Sequence, residues 1–366
     1  MRSGKLSSRL SRIRESQKAN VSPPSGAGGP VTAERAAVGA GIDSVEGTGT
    51  ALPGWRQTAA NLFERTLLSP ATNYRAALSP RFPLLFPRER ESLSLLGAFS
   101  GWKDRLVFFD LETTGLSHGA GTVAFMAAVG RIEEPGQFAV TQLLIDDYPG
   151  EPAFLARFSE LVGESPVLAS FNGKGFDAQI LQTRFLMNAM RPLFLSSAHL
   201  DLLYPARRLW KRELGNCRLG TLEAEIFRAP RVDDLPGSEA PDAWFEYLRG
   251  GSPERLLAVG EHNLEDVKTL CTLLFELDSR IDSGEGRAAL IVALDMRSRR
   301  DYEGARAFLE PLARSGDPIA ARLLAIDAEH RLDRLDMALD LATGLGDEKR
   351  AARIKDKIAR REDPLF

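Results

Sequence analysis

Between Leu106 and Asp146 three β-rich runs, LVFFDLE, TVAFMAAVGRI and FAVTQLLID, succeed one another across turn-sized gaps. Such runs suit an antiparallel meander, and the elements after them narrow the choice of fold. The pattern predicts a helix from Pro152 to Val162, a short buried strand (PVLASF) and a helix from Phe176 to Met190. A strand around HLDLL then leads into charged helices and a long apolar-periodic helix from about Glu261 to Leu277. Three meandering strands and then alternating α and β elements describe an α/β fold, a mixed sheet flanked by helices.

The flanks read differently. At 366 residues, two or three domains are expected. Residues 1–54 join a basic arm (Met1 to Lys18, six Lys or Arg against one Glu) to a linker with eight Gly and four Pro from Val21 to Gly54. That composition buries too little apolar surface to offset the entropy of ordering. Residues 55–100 form a lead-in whose Leu62, Phe63 and Leu67 have helical spacing, with a Pro-punctuated stretch running towards Trp102. Residues 101–281 hold the mixed sheet, and 285–362 are all-helical. In the helical part an offset of 33 superposes Ala305 on Ala338, Leu312 on Leu345 and Leu290 on Leu323. A period near that length, with a small residue at the helix crossing, resembles tetratricopeptide repeats, which would suit the tail to a protein partner; a generic helical appendage without a ligand is the alternative.

Two cysteines, Cys217 and Cys271, are too few and too far apart for a disulfide framework or a thiolate zinc site. No apolar h-region and no stretch near the ~20 apolar residues of a membrane span is present, so a cytoplasmic protein without membrane contact is expected. The formal charge of −3 gives no bulk attraction for a polyanion. That total conceals unlike parts, with residues 1–99 at +6, 100–280 at −8 and 281–366 at −1. The central deficit draws attention to where its acids fall.

Asp110 and Glu112 close the first β run in D-L-E-T-T-G. The two-residue period of a strand puts both carboxylates on one face and Val107, Phe109 and Leu111 on the other. Carboxylates held side by side repel unless a cation lies between them, and hard oxygen ligands suit Mg²⁺ or Mn²⁺; the plainer account is an exposed strand end. In N-G-K-G-F-D, Asn172 ends a strand and Asp177 falls in the first turn of a helix, where helix-start stabilisation alone would explain it. In H-N-L-E-D, His262 and Asp266 stand at i and i+4 and share one helical face. A base and a carboxylate one turn apart can set a water against a metal; a partly buried helix-cap histidine is the alternative.

Taken in order, the three elements resemble the DEDD superfamily of 3′→5′ exonucleases with an RNase H-like fold. In that superfamily the first motif supplies D-x-E, the second N-x-x-x-F-D, and the third a His or Tyr and then an Asp. L-D-L-L-Y-P-A-R-R (Leu200 to Arg208) and L-G-T-L-E (Leu219 to Glu223) are similar to the stretch between the second and third motifs of proofreading subunits, and T-T-G-L-S-H-G-A-G points to the YprB-like branch. The resemblance covers about Leu106 to Leu277 and implies two-metal phosphodiester hydrolysis. Asp110, Glu112, Asp177 and Asp266 would then hold two Mg²⁺ or Mn²⁺ ions, with His262 as base and Thr113, Thr114 and Gly115 beside the terminal nucleotide. One departure is visible. Three residues separate His262 from Asp266, the spacing of the tyrosine-using subfamily, so a histidine stands where a tyrosine is expected.

Asn172 and a basic cluster of Arg207, Arg208, Lys211, Arg212 and Arg218 around Trp210 are candidates for substrate contact, by phosphate binding and base stacking. A solvated helix face would account for the cluster equally. Asp201 reads as structural, His199 and His330 as ordinary structural or surface residues, and His118 as a solvated turn histidine with substrate contact as the alternative. The sequence does not choose DNA over RNA. Besides a metal-dependent exonuclease of single-stranded nucleic acid, it admits a non-catalytic binding module with a protein-recruiting tail, or a structure-selective endonuclease.

Overall fold

The computed structural model describes residues 52–95, 105–115, 120–134, 136–191, 197–232 and 234–362. The basic arm, nearly all of the Gly/Pro-rich stretch, Trp102 and His118 lie outside the described residues. The strands are β1 (Arg56–Ala59), β2 (Leu62–Pro70), β3 (Leu106–Thr113), β4 (Ala124–Glu134), β5 (Gln137–Ile145), β6 (Val167–Ser170) and β7 (Ala198–Asp201). They form one sheet in the order β1-β2-β5-β4-β3-β6-β7. The meander is antiparallel, as its β-branched and aromatic runs predict, and β6 and β7 add to β3 in parallel.

One expectation fails. The lead-in around Leu62, Phe63 and Leu67 is a hairpin, with β2 antiparallel to β5 from Leu62 opposite Ile145 to Pro70 opposite Gln137. Residues 65–70 alternate inward and outward, a strand period that the spacing of three leucine and phenylalanine side chains conceals. Asn61, at φ 57°, makes the left-handed turn between the strands, a conformation in which Asn is among the least strained residues. Its amide also donates to Asp146 at 2.8 Å.

The helices are α1 (Arg90–Leu95), α2 (Glu151–Val162), α3 (Asp177–Met187), α4 (Leu203–Leu214), α5 (Leu219–Glu225), α6 (Ala240–Leu248), α7 (Glu254–Ser283), α8 (Arg287–Ser298), α9 (Tyr302–Arg314), α10 (Pro318–His330), α11 (Leu335–Gly344) and α12 (Glu348–Glu362). Both faces of the sheet are covered. Leu106 and Phe108 of β3 point into a core with α7, whereas Val107, Phe109 and Leu111 point into a second core with α2 and α6. The expected alternation of β3 is therefore present, and it turns Asp110 and Glu112 to the α7 side.

Helix α7 is longer than its apolar period suggests, 30 residues from Glu254 to Ser283. Its C-terminal half is tied down by the lead-in, where buried Asp278 accepts from the Ser79 amide at 2.7 Å and pairs with Arg75 at 3.1 Å. Helices α8 to α12 pack each on its predecessor, with Ala305 and Ala338 fully buried at equivalent places in α9 and α11. Asp317 joins this array to α4 by accepting from Arg212 at 2.8 Å, and it also accepts from Arg287 of α8 at 2.7 Å. Among the described residues no helix is long and apolar enough to cross a membrane.

The approach of α7 to the sheet depends on Gly130 of β4. A Cβ there would collide with the Phe138 ring and with a Val267 methyl of α7. Overpacking of this kind costs about 1–3 kcal/mol, so Gly130→Ala is expected to lower the thermal midpoint measured by calorimetry. It should also weaken function by lifting the helix that carries His262 and Asp266.

Candidate active site

Strand β3 brings Asp110 and Glu112 to the end of the sheet, opposite Ala128 and Met126 of β4. The register slips after Glu112, and Thr113 and Thr114 begin a loop stabilised by their own hydroxyls. Thr113 Oγ1 donates to the Gly115 carbonyl at 2.9 Å, and Thr114 Oγ1 accepts from the Val123 amide at 3.0 Å.

Asp177 comes from the first turn of α3, and it is not the helix cap. Phe176 holds the cap position and no side chain caps the helix. A Cβ on Gly173 would lie 2.8 Å from Asp177 Oδ2, so the glycine leaves room for that carboxylate. The turn before it is held by Asp201, whose carboxylate accepts from the amides of Asn172 at 2.8 Å, Lys174 at 3.3 Å and Leu203 at 3.2 Å. Asn172 at φ 65° takes the left-handed turn position. Asp201 is structural, as expected. So is His199, buried with Nε2 2.7 Å from Ser170 Oγ and pushed down to about 4 by burial, with Lys174 adding to the shift.

Helix α7 supplies His262 and Asp266. The carboxylates from the three elements act on one another. Burial holds Asp110 well above the ordinary carboxylate range, and Asp266, Asp177 and Glu112 add to the shift. Glu112 is raised in the same way by burial and then by Asp266, Asp177 and Asp234. Burial, then Asp201 and Asp266, push Asp177 up to about 7. Asp266 is raised by burial against the opposing pull of Arg231 and His262. The structure thus brings together the four acids that the sequence separates by more than 150 positions.

Other neighbours were not foreseen. Arg231, from the segment between α5 and α6, reaches Asp266 at 2.5 Å, Glu223 at 2.6 Å and Asp234 at 3.2 Å. Burial works against its charge, but Asp266 and Glu223 outweigh it and raise its pKa. Asp234 lies 2.9 Å from His262 Nδ1, and Arg231 Nη1 lies 3.1 Å from the same nitrogen. A carboxylate only accepts and a guanidinium only donates. Both bonds to Asp234 are made when Nδ1 carries the proton, and Nε2 lies 3.7 Å from Asp266 Oδ2. Asn263 donates to Asp110 Oδ2 at 2.9 Å. Asn263 lay in view beside His262, and Glu223 closes L-G-T-L-E. Arg231 and Asp234 sit in R-V-D-D-L-P-G, where no periodicity marks them.

The basic cluster is only partly available. Arg208 donates to the Leu84 carbonyl at 3.1 Å and Arg212 pairs with Asp317, while Arg207, Lys211 and Arg218 are exposed. Trp210 is buried in the core at 5% exposure, which removes the stacking role expected of it. Its place on the inner face of α4, next to Ala206 and Leu209, explains why.

Among the described residues no three His, Cys, Asp or Glu side chains are grouped so as to hold a metal ion. The Arg231 guanidinium, on Asp266 and Glu223, supplies positive charge there. The donor types are still the hard carboxylate oxygens that a divalent cation takes. Four carboxyl groups share a space in which burial and mutual repulsion disfavour their ionised forms, and a cation would relieve that.

Residues 107–277 match the model of the RNase H superfamily, and the mixed sheet with its flanking helices is an RNase H-like α/β fold. Over 180 residues the chain is 36% identical to the "Uncharacterized protein YprB" of Bacillus subtilis (strain 168). That match takes in 49% of this chain and 43% of the relative, so the chain spans less than half of the relative's length. The family B DNA polymerase of the hyperthermophilic archaeon Pyrobaculum calidifontis is similar over 53% of this chain and 29% of its own, at 14% identity and a TM-score of 0.37.

The raised pKa of Asp177 sets a pH dependence. From the ordinary 3.8 it rises to about 7 in the folded chain, so the folded state binds this proton more tightly. The stabilisation is complete below 3.8 and lost as pH rises through about 7. In EDTA, Asp177→Asn is therefore expected to gain stability relative to the unaltered protein between about pH 4 and pH 8. Thermal unfolding across that range, tracked by circular dichroism, reads the difference. A constant difference would remove Asp177 from the group of repelling acids.

Proposed function

We propose that the chain is a metal-dependent 3′→5′ exonuclease that hydrolyses phosphodiester bonds of single-stranded DNA or RNA. The observation that carries this reading is the convergence of Asp110, Glu112, Asp177 and Asp266 on one space, Glu112 buried and the others half-buried, each with its charged form disfavoured. The order of the motifs and the superfamily match support it.

Asp110, Glu112, Asp177 and Asp266 would hold two Mg²⁺ or Mn²⁺ ions, which when bound supply charge neutralisation at the phosphate and a more acidic water. His262 accepts a proton at Nε2, and Asp234 stabilises the imidazolium through the hydrogen bond at Nδ1. This arrangement gives the base an orienting carboxylate of its own, which supports a histidine in the tyrosine position. Arg231 balances Asp266 and Glu223 until a cation arrives, and must yield part of Asp266 when it does. Thr113, Thr114 and Gly115 border the terminal nucleotide. Asn172 and the exposed Arg207, Lys211 and Arg218 are offered as further substrate contacts, with Arg208 and Arg212 available only if their present bonds break. The repeated burial of Ala305 and Ala338 supports a tetratricopeptide-like tail that binds a protein.

A second reading has one observation in its favour. Arg231 already pairs with Asp266, which suits a domain that binds nucleic acid without cutting it.

Incubation with end-labelled single-stranded DNA and RNA, in Mn²⁺, Mg²⁺ or EDTA, separates the readings. A ladder shortening from the 3′ end that EDTA stops is the expected result. Asp110→Ala and Asp266→Ala should each reduce it to background. Internal cuts would indicate an endonuclease, and retention without cleavage a binding module.

A further inference from the structure

A line of buried amides runs from the N-terminal hairpin to Asp110. Arg65 of β2 donates from Nε to Gln142 Oε1 at 2.7 Å. Gln142 of β5 donates from Nε2 to the Gly260 carbonyl at 2.8 Å and to Asn263 Oδ1 at 3.0 Å. Asn263 of α7 donates from Nδ2 to Asp110 Oδ2 at 2.9 Å and to the Asp110 carbonyl at 3.3 Å. Gln142 and Asn263 are both fully buried.

We propose that Asn263 is the positioning residue for the Asp110 carboxylate, and that Arg65, through Gln142, fixes the sense in which it acts. Amide groups can turn over, exchanging oxygen for nitrogen, but here every alternative is closed. A guanidinium has no acceptor, so Gln142 must present its oxygen to Arg65. The Gly260 carbonyl demands a donor and enforces the same sense from the helix side. The Gln142 nitrogen then faces Asn263, which must answer with its oxygen and turn its own nitrogen to Asp110. Turning one amide over would leave donors facing donors and a carbonyl against a carboxylate, each buried and unpaired.

Arg65 is itself fixed. Its guanidinium lies 4.6 Å over the Trp55 ring and pairs with Glu261 at 2.8 Å. A Cβ on Gly260 would crowd both Arg65 Nη2 and Trp55 at 3.2 Å, so the glycine lets the hairpin side chains reach the helix. Trp55 and Arg65 stand outside residues 107–277. The hairpin is thereby part of the active site, although none of its residues touches the acids. This inference rests on the reading of Asp110 as a metal ligand.

Gln142→Glu tests it, since the new side chain still accepts from Arg65 but cannot donate in both directions. Asn263 is then expected to turn its amide to the introduced carboxylate and its carbonyl against Asp110. The crystal structure of Q142E should show the Asp110 carboxylate rotated, and Mn²⁺ affinity by electron paramagnetic resonance should fall about tenfold or more. Asn263→Leu should weaken Mn²⁺ to a similar degree, and Arg65→Met less. Adding Arg65→Met to Asn263→Leu should weaken it no further, because the relay is already broken. An Asp110 carboxylate in Q142E that superposes on the unaltered protein's overturns the relay, whether or not Mn²⁺ binds. If Q142E does not fold, additive losses in the Arg65 and Asn263 pair overturn it. An unaltered protein that binds no Mn²⁺ overturns the metal reading instead, and the Asp110 position in the variant structure still judges the relay.

Discussion

Like charges held close together and half-buried are the constraint around which this molecule is arranged. Four carboxyl groups meet beside the end of β3, and burial and mutual repulsion favour their protonated forms. A surface cluster would relax by swinging into solvent. This one cannot, because strand β3 is packed on both faces, α3 starts at Asp177 against Gly173, and α7 is anchored along its length. The rigidity that makes the cluster costly also makes it usable, since a site that does not spread apart when empty need not be reassembled when filled.

The surroundings answer that charge from two sides. Arg231 neutralises the α7 side through Asp266, Glu223 and Asp234, while on the β3 side Asn263 offers a neutral donor to Asp110. A cation on the first side and an amide on the second leave unequal demands on the carboxylates. Arg231 opposes the upward shift that burial gives Asp266, whereas Asp110 and Glu112 are raised further and carry the greater tendency to take up protons.

Much of this was legible in the chain. The period of two in LVFFDLE foretold which side chains of β3 face which core, and the spacing of His262 and Asp266 placed both on one face of α7. What escaped depended on contacts across long separations. Leu62, Phe63 and Leu67 fit a helix or a strand until β5 is there to pair with β2. Gln142 looks like any polar residue in FAVTQLLID, and only the arrival of Arg65 on one side and α7 on the other makes its burial tolerable. Arg231 and Asp234 belong to a segment without periodicity, so nothing local distinguishes them from solvated charges. Trp210 shows the converse error, since an aromatic among basic residues suggests stacking until the helix is seen to turn it inward.

The pairing of β2 with β5 has a consequence for how the molecule comes into being. Arg65 and its amide partner are 77 residues apart, and Asp110 is 153 residues from the asparagine that holds it. Contacts this distant in sequence form late and slowly. During synthesis the hairpin emerges well before the strand it pairs with, and β3 well before α7. For that interval two exposed strand edges and a pair of facing acids have no native partners, so the nascent chain is most vulnerable to misassociation before its long helix is complete.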